Sequence, residues 1–392
     1  MVGLTRLELV TSRMSSERSN QLSYRPANPS FERPLHLVRR SGPAVCVGEA
    51  VFSPRQTKAQ PQKWVFDKNS SSIASQFPYA IDQIVRDRSR DITKPPSGMD
   101  DTKTMNQLPS EMATTGPATV ILPARQTLPV VFASPHSGRQ YPQDLIASAR
   151  IGSFELRASE DAFVDQLFAA APQLGAPLLC ATFPRAYVDV NRGALELDPR
   201  MFDGELPADA ETHSMRALSG LGSIPRVVSG GVEIYKSRLP VTEAFDRIDT
   251  YYRPYHRALQ NLIKATRDAF GYCILIDCHS MPGDSVDSAK NRVDLVLGDC
   301  YGSSCHPSLT RFVDDRVRNL GFIPAHNDPY AGGYCTRHYG HPEANVHSLQ
   351  IELARSLYMD EATITPHRGF DTLREQMTHL ISSFHDLDGN PF

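Results

Sequence analysis

From residue 127 onward, short apolar runs alternate with longer amphipathic segments. Near-continuous apolar runs of this length are typical of strands that are covered on both faces of a sheet. Such strands are predicted over Pro129–Ala133, Leu178–Phe183, Cys273–Asp277, Val293–Leu297 and Ser348–Leu353. Helices are predicted over Glu160–Ala171, Thr242–Phe270, Pro307–Leu320 and Pro366–Asp386. Strand–helix alternation of this kind predicts an α/β fold with helices on both faces of one sheet.

Local signals set the expected ends of the two longest central helices. Thr242 is placed to cap the start of its helix, and Gly271 and Gly321 follow the predicted helices at their C-terminal ends. Pro254 is expected to kink the first of them. In the shorter helix that begins at Glu160, Phe163, Leu167 and Phe168 are predicted to share one apolar face.

The N-terminal region has a different composition. Through Arg40 it contains seven Arg and no Lys, with many Ser and Pro, which is typical of a disordered tail or of a transit peptide. The stretch 3–26 also resembles the spurious translation of tRNA-gene DNA in over-extended gene models. We therefore expect residues 1–126 to be a disordered tail from an over-extended start, with Met99, Met105 or Met112 as the alternative starts, and residues 127–392 to form the catalytic domain.

Charge and cysteine content exclude several classes of protein. The 41 basic and 44 acidic side chains nearly balance, so neither nucleic acid nor a membrane surface is an expected partner. No apolar stretch approaches the roughly eighteen residues of a membrane span, and no signal-peptide core is present. Seven Cys without a framework spacing indicate reduced thiols and a cytoplasmic protein. Cys300 and Cys305 are not spaced as a zinc knuckle.

Two histidines follow predicted strands in matching contexts. Ser134-Pro135-His136-Ser137-Gly138 follows the first strand, and Asp277-Cys278-His279-Ser280 ends the third. In open α/β sheets, ligands bind at the carboxyl ends of the strands. Imidazole is both a metal ligand and a general base. We therefore expect His136 and His279 to share one site.

Three further motifs accompany these histidines: FPRAYVDVNR at 183–192, AHNDPYAGGY at 325–334 and LQIEL at 349–353. Together the motifs resemble the N-formylglutamate amidohydrolase (formylglutamate deformylase) family over Thr127–His385. The resemblance implies an α/β, zinc-carboxypeptidase-like fold, a mixed sheet flanked by helices. It also implies hydrolysis of N-formyl-L-glutamate to formate and L-glutamate, a reaction of histidine degradation, with an N-formyl amino acid as the small-molecule substrate.

Hydrolysis of an amide needs an activated water and a Lewis acid or oxyanion donor. A catalytic zinc has three protein ligands and one open position, so His136 and His279 need a third partner, expected to be a carboxylate. Arg139 occupies the acid position of the HxxE pattern of zinc carboxypeptidases. Glu160 and Asp161 remain as candidates, and the resemblance favours Asp161. These residues would bind Zn²⁺ or another divalent metal. The alternative is that both acids only interact with a helix dipole.

Glu352 is the candidate general base. An acid between aliphatic residues in a strand is costly unless it has a partner or a catalytic task. The alternative is a structural salt bridge to Arg355. Asp277, two residues before His279, is expected to orient that histidine, or else to cap backbone amides at the strand end.

Substrate-binding residues are expected in two loops. Arg185 and Arg192, which flank Tyr187 and Asn191, suit the two carboxylates of formylglutamate because a guanidinium binds a carboxylate in bidentate fashion. The second loop is expected to close over the ligand. Its candidates are His326, Tyr330 and Gly333. Three further histidines follow in this region, His338, His341 and His347. Their spacing could bind a metal, but they are expected to be loop and surface residues.

Three alternative functions remain at this point. A deacylase of another N-acyl amino acid would use the same scaffold with a different acyl pocket. A non-catalytic binding protein would have lost the metal, against which the intact His136, His279 and Glu352 argue. A serine hydrolase would use Ser137 or Ser280, but neither lies in a G-x-S-x-G motif.

Overall fold

The computed structural model describes residues 112–285, 292–387 and 392. The expected tail through residue 111, with the alternative starts Met99 and Met105, lies outside these described residues. Met112, the third alternative start, is the first residue of a strand.

The centre of the fold is an eight-stranded sheet with the order β1-β2-β4-β3-β7-β10-β8-β9. Its strands are β1 (Met112–Thr115), β2 (Ala118–Ile121), β3 (Val130–Ser134), β4 (Leu178–Ala181), β7 (Cys273–Met281), β8 (Leu295–Gly298), β9 (Pro324–His326) and β10 (Val346–Ala354). Strands β4, β3, β7 and β10 run parallel, whereas β1, β2 and β8 introduce antiparallel pairs. Two short ladders lie outside this sheet, β5 (Phe202–Asp203) with β6 (Leu239–Pro240) and β11 (Met359–Asp360) with β12 (Thr365–Pro366).

The α-helices of the described residues are α1 (Gln143–Ser148), α2 (Ser153–Leu156), α3 (Val164–Leu167), α4 (Met215–Leu218), α5 (Val241–Arg247), α6 (Arg253–Phe270), α7 (Pro307–Asn319), α8 (Tyr334–Tyr339) and α9 (Gly369–Ser383). None of them is long and apolar enough to cross a membrane.

Helices cover both faces of the sheet because the central strands are apolar on both sides. Every residue of β3, β7 and β10 is buried. Successive side chains of a strand point to opposite faces. Accordingly, Ile274 belongs to the core cluster that contains Val313 of α7 and Met377 of α9, whereas Leu275 belongs to the cluster that contains Leu259 of α6. This mixed sheet flanked by helices confirms the predicted α/β class.

The two predicted glycine ends are confirmed. Gly271 follows α6 with a φ of 82°, and Gly321 has a φ of 91° after α7. The long helical region predicted across Thr242–Phe270 consists of α5, a π-helical turn at Ile248–Tyr252, and α6. Pro254 lies in the first turn of α6, where a missing N–H costs nothing. The cap residue of α5 is Pro240, and Thr242 lies inside the helix.

The helix predicted over Glu160–Ala171 is wrong in most of its length. Only Val164–Leu167 is α-helical, and Phe163 adopts a left-handed φ of 68°. Glu160 ends a 3₁₀ turn, and the N–H of Asp161 donates a hydrogen bond of 3.0 Å to the carbonyl of His136. This long-range backbone contact overrides the apolar periodicity, and it brings Asp161 to the end of β3.

Other boundaries also differ from the sequence prediction, and three of the differences matter for the architecture. Strand β7 continues to Met281, so His279 lies inside the strand and not beyond its end. The last helix begins at Gly369 because Pro366 pairs with Met359 in a short ladder. Strands β1 and β2 lie before residue 127, the expected domain boundary, and extend the sheet at one edge.

Candidate metal centre and active site

His136, Asp161 and His279 meet at the centre of the sheet. His136 follows β3, and His279 lies on the neighbouring strand β7. Oδ2 of Asp161 lies 2.9 Å from Nδ1 of His279 and 3.3 Å from Nδ1 of His136. All three side chains are buried. Within the described residues this is the one group of three or more His, Cys, Asp or Glu side chains that could hold a metal ion, with ligand atoms within 4.8 Å of one another.

The donor atoms fit a divalent metal. Nδ1 of His136 is buried and has no hydrogen-bond partner, although it lies 3.3 Å from Asp161, because the geometry is not that of a hydrogen bond. An unsatisfied buried polar atom is costly and calls for a ligand. Two imidazole nitrogens and one carboxylate oxygen are a donor set that zinc binds in catalytic sites.

The far nitrogen of each histidine lies close to a second carboxylate, and only the one of His136 is hydrogen-bonded to it. Nε2 of His136 lies 2.8 Å from Oδ1 of Asp189, and Nε2 of His279 lies 3.0 Å from Oδ1 of Asp277. Histidines that bind metals are commonly oriented in this way. Asp277 is inside β7, and its Oδ2 accepts a hydrogen bond from Thr336. It therefore does not cap a strand end, and because its Oδ1 has no hydrogen-bond partner, its expected role in orienting His279 stays a prediction.

The two candidate acids have different environments. Glu160 accepts a hydrogen bond of 2.6 Å from the hydroxyl of Tyr141 and pairs with Arg157. Asp161 is the acid that lies between the histidines. Neither acid lies in the first turn of an α-helix, so the helix-dipole alternative does not apply.

Strong electrostatic coupling holds the three groups together. Burial alone would raise the pKa of Asp161, but the hydrogen bond with His279 and the charges of both histidines hold it well below its usual value. Burial likewise opposes the charged form of His279, yet Asp277 and Asp161 raise its pKa well above the usual value. Arg355 adds a hydrogen bond of 3.1 Å to Oδ1 of Asp161.

Glu352 lies beside this group, because β10 pairs with β7 and places Glu352 opposite His279. Burial is the main cause that raises its pKa to about 7, against the opposing charge of His279. The salt bridge to Arg355, which was the alternative to a catalytic role, is not formed. Arg355 instead donates to Asp161 and to Ser280, and Gln350 donates a hydrogen bond of 2.8 Å to Oε1 of Glu352.

The loop after β4 carries Arg185, Asn191 and Arg192, and it lies beside the group formed by His136, Asp161 and His279. Arg185 donates a hydrogen bond of 2.7 Å to Asp189, which also holds His136. Nδ2 of Asn191 lies 3.1 Å from Nε2 of His279. Burial opposes the charge of Arg185, but Asp189 and then Asp161 raise the pKa of this guanidinium.

The other predicted substrate residues are more dispersed. Gly333 packs directly against Asn191, since a Cβ at Gly333 would lie 2.1 Å from Nδ2 of Asn191. Tyr187 contacts other residues and not the histidine group. Its hydroxyl donates to Asp144, and its ring lies under the guanidinium of Arg247. Half-exposed His326 pairs with Asp314 of α7, and Tyr330 packs against the small cluster of Met281, Val296 and Ala354.

The remaining histidines do not form a metal group in the described part of the chain. His338 stacks on Tyr334 and His341 pairs with Glu343. Both are exposed, as expected, but His338 lies in helix α8 and not in a loop. The expectation for His347 is wrong: it is buried on β10 and accepts a hydrogen bond from the N–H of His306.

The two serines next to the histidines have other partners. Oγ of Ser137 is hydrogen-bonded to Oγ of Ser134, and Oγ of Ser280 accepts from Arg355. Asp189 and Gln350 are not among the site residues predicted from the sequence. Gln350 is a polar residue within the apolar run LQIEL, and Asp189 lies in the motif FPRAYVDVNR among other candidates. These were the local signals that could have pointed to them.

Comparison with known proteins adds independent information. The family model for N-formylglutamate amidohydrolase matches residues 128–359. The N-formylglutamate deformylase of Pseudomonas putida is 30% identical over 238 residues, which are 60% of this chain and 83% of that protein. The N-formylglutamate deformylase of Pseudomonas aeruginosa is 29% identical over 241 residues, 60% of this chain and 84% of that protein.

A solved structure is also similar. The crystal structure of N-formylglutamate amidohydrolase from Ralstonia eutropha JMP134 is 38% identical, with a TM-score of 0.66, and the match covers 69% of this chain and 98% of that chain. The match of the family model spans more than half of the sequence. The chain therefore belongs to the N-formylglutamate amidohydrolase family.

Proposed function

We propose that this protein hydrolyses N-formyl-L-glutamate to formate and L-glutamate with the help of a divalent metal ion, zinc in the first instance. The observation that carries the proposal is the convergence of His136, Asp161 and His279 beside Glu352. It occurs in a chain whose relatives bear the names N-formylglutamate deformylase and amidohydrolase.

His136, Asp161 and His279 are the residues that would hold the ion. When bound, a divalent ion at such a site supplies Lewis acidity that polarises a carbonyl oxygen and acidifies water. Hydrogen bonds with Asp189 and Asn191 keep the imidazole rings of His136 and His279, respectively, in place. Arg355 holds the other oxygen of Asp161, which leaves Oδ2 directed at both histidines.

Glu352 acts as the general base in this proposal. A carboxyl with a pKa of about 7 accepts and returns a proton near neutral pH with little loss in either direction. The carboxylate takes a proton from the attacking water as the new C–O bond forms at the formyl carbon. It then returns the proton to the amide nitrogen as the C–N bond breaks, so that the amino group of glutamate leaves in neutral form.

Arg185 and Arg192 supply the positive charge for an anionic substrate. Arg185 is close enough to Asp161 and Glu352 for both charges to act on it, so it contacts the substrate at the reacting end. The N–H of Cys335 donates a hydrogen bond to the side chain of Asn191 and so fixes it. Arg192 is the next residue in the chain. Asn191 and Arg192 contact the substrate next to Arg185.

The test is a substrate panel combined with metal analysis of the purified protein. We expect formate release from N-formyl-L-glutamate, slower release from N-formyl-L-aspartate, and little hydrolysis of N-acetyl-L-glutamate. Loss of one methylene costs about 1–3 kcal/mol. Bound metal near one per chain is expected, and chelation should abolish activity until Zn²⁺ is restored. The absence of formate release, or activity that survives complete chelation, would refute the proposal.

A further inference from the structure

Arg216 lies on a short segment that is attached to the loop carrying Arg192. The segment begins with Ser214, whose hydroxyl caps α4 by accepting from the N–H of Ala217. The N–H of Leu221 donates to the carbonyl of Arg216, at 2.8 Å. In turn, Nε of Arg192 donates to the carbonyl of Leu221, at 3.0 Å. The backbone at Arg216 is therefore held close to Arg192 by two consecutive hydrogen bonds.

The guanidinium of Arg216 is half-buried and has no hydrogen bond or ion pair to any residue that the structure describes. The carboxylate that most favours its charge is Glu196. Both oxygens of that carboxylate have other donors, the hydroxyl of Ser214 at 2.5 Å and the N–H of Gly193 at 3.3 Å. Arg216 therefore carries five N–H donors for which the described residues provide no hydrogen-bond acceptor.

Positive charge is in excess around Arg216. Repulsion from Arg192 is the main cause that lowers the pKa of Arg216 to about 10, followed by burial, and Arg337 adds to it. The nearest carboxylate to Arg192 is that of Asp189, at 3.9 Å, but Arg185 binds the same oxygen at 2.7 Å. Like charges held together without a counter-ion are unfavourable, and an anion between them removes this cost.

We propose that Arg216 and Arg192 together bind the side-chain carboxylate of the N-formyl amino acid, so that Arg216 determines the preference for an acidic over a neutral substrate. This inference rests on the proposed function. A planar guanidinium suits the role because it binds a carboxylate in bidentate fashion. Arg185 remains at the reacting end, beside Asp161 and Glu352.

The test compares N-formyl-L-glutamate with the neutral N-formyl-L-glutamine in wild type, Arg216→Gln and Arg216→Lys. For Arg216→Gln we expect kcat/KM for formylglutamate to fall roughly ten- to a hundredfold, the usual value of a charge-assisted contact. The value for formylglutamine should stay within about twofold. For Arg216→Lys, kcat/KM for formylglutamate should lie between the values of the wild type and Arg216→Gln, because lysine keeps the charge but cannot bind a carboxylate in bidentate fashion. Arg238→Gln is the matched control, an exposed arginine on another segment, and should leave both substrates unchanged.

Equal loss for both substrates would assign Arg216 a structural role, and no loss for either would remove it from the pocket; each result overturns the inference. L-Glutamate and L-glutamine carry no formyl group and cannot be hydrolysed. Their binding, measured by calorimetry, therefore separates this inference from the proposed function. If the wild type releases no formate, the proposed function fails. The inference is supported if Arg216→Gln weakens the binding of glutamate and not that of glutamine, and it is overturned if both ligands are affected equally or not at all.

Discussion

Gln350 Nε2 donates a hydrogen bond of 2.8 Å to Oε1 of Glu352, two residues further along β10. The amide cannot turn over, because Oε1 of Gln350 accepts from the N–H of Gly333, which can only donate. Oε1 also lies 3.3 Å from the hydroxyl of Thr336. The buried amide therefore connects the proposed general base to the loop that carries Gly333, and it favours the ionised form of Glu352.

Replacement of Gln350 by Leu should disturb both stability and turnover. It leaves the N–H of Gly333 and one oxygen of Glu352 without partners, which costs about 1–3 kcal/mol in the free energy of unfolding. We expect kcat to fall more than KM rises, because the base loses its orientation. Urea denaturation and steady-state kinetics measure the two effects. Gln376→Leu on α9 is the control, since Gln376 only donates to the carbonyl of Leu320, and a kcat loss of equal size there would contradict the prediction.

Glu352→Gln should separate proton transfer from metal binding. Gln is nearly isosteric but cannot accept a proton, so we expect kcat to fall by about a hundred- to ten-thousandfold while bound metal is retained. His136→Ala and His279→Ala should instead lower both metal content and rate. Metal analysis and kinetics on the three variants provide the comparison. Loss of metal in Glu352→Gln would make Glu352 a ligand, and a normal kcat would remove it from catalysis.

Arg355→Gln should weaken metal binding without touching a proposed ligand. Arg355 donates to Oδ1 of Asp161, and removal of such an outer partner typically costs about ten- to a hundredfold in metal affinity. Competition with a chromogenic chelator measures the dissociation constant. Arg157→Gln is the matched control, because Arg157 pairs with Glu160 and not with Asp161. An unchanged affinity in Arg355→Gln would show that Asp161 does not need this contact.

Gly333→Ala tests the contact with Asn191. The φ of Gly333 is −84°, so alanine fits the backbone, but its Cβ would lie 2.1 Å from Nδ2 of Asn191. We expect a raised KM for formylglutamate, and a loss of about 1–3 kcal/mol in stability, from the displaced side chain. At Gly193 a Cβ would lie 3.7 Å from Glu196, an ordinary contact, so Gly193→Ala is the control. Equal KM values in both variants would contradict the prediction.

A chain that begins at Met99 should fold and keep the kcat/KM of the full chain. Among the residues that the structure describes, the first strand starts at Met112, and every residue of the candidate site follows it. Circular dichroism, thermal unfolding and the formate-release assay compare the two chains. The expected over-extended start is refuted if the shortened chain is insoluble or inactive while the full chain works.

The class of fold and the two histidines were predictable from local pattern. The apolar runs of β3, β7 and β10 are buried on both faces, and such strands need no distant information to be recognised. Gly271 and Gly321 were predictable as helix ends because a left-handed φ suits glycine. The polar residues of β7 predict that the strand ends at Asp277, but it continues to Met281. Asp277 and His279 are buried because they pair with Thr336 and Asp161, and such distant partners cannot be recognised in the sequence.

Local sequence specifies which residue types stand at the ends and centres of the strands, and so which side chains have the chemistry for a metal and a base. Their partners depend on tertiary contacts: Asp161 and not Glu160 lies between the histidines, Arg355 binds Asp161 and not Glu352, and Leu221 links the backbone of Arg216 to Arg192. The contacts join residues far apart in the chain, such as Arg355 and Asp161, which are separated by 194 positions. Periodicity reports on the nearest few residues, whereas hydrogen bonds and charges act through space once the sheet has formed.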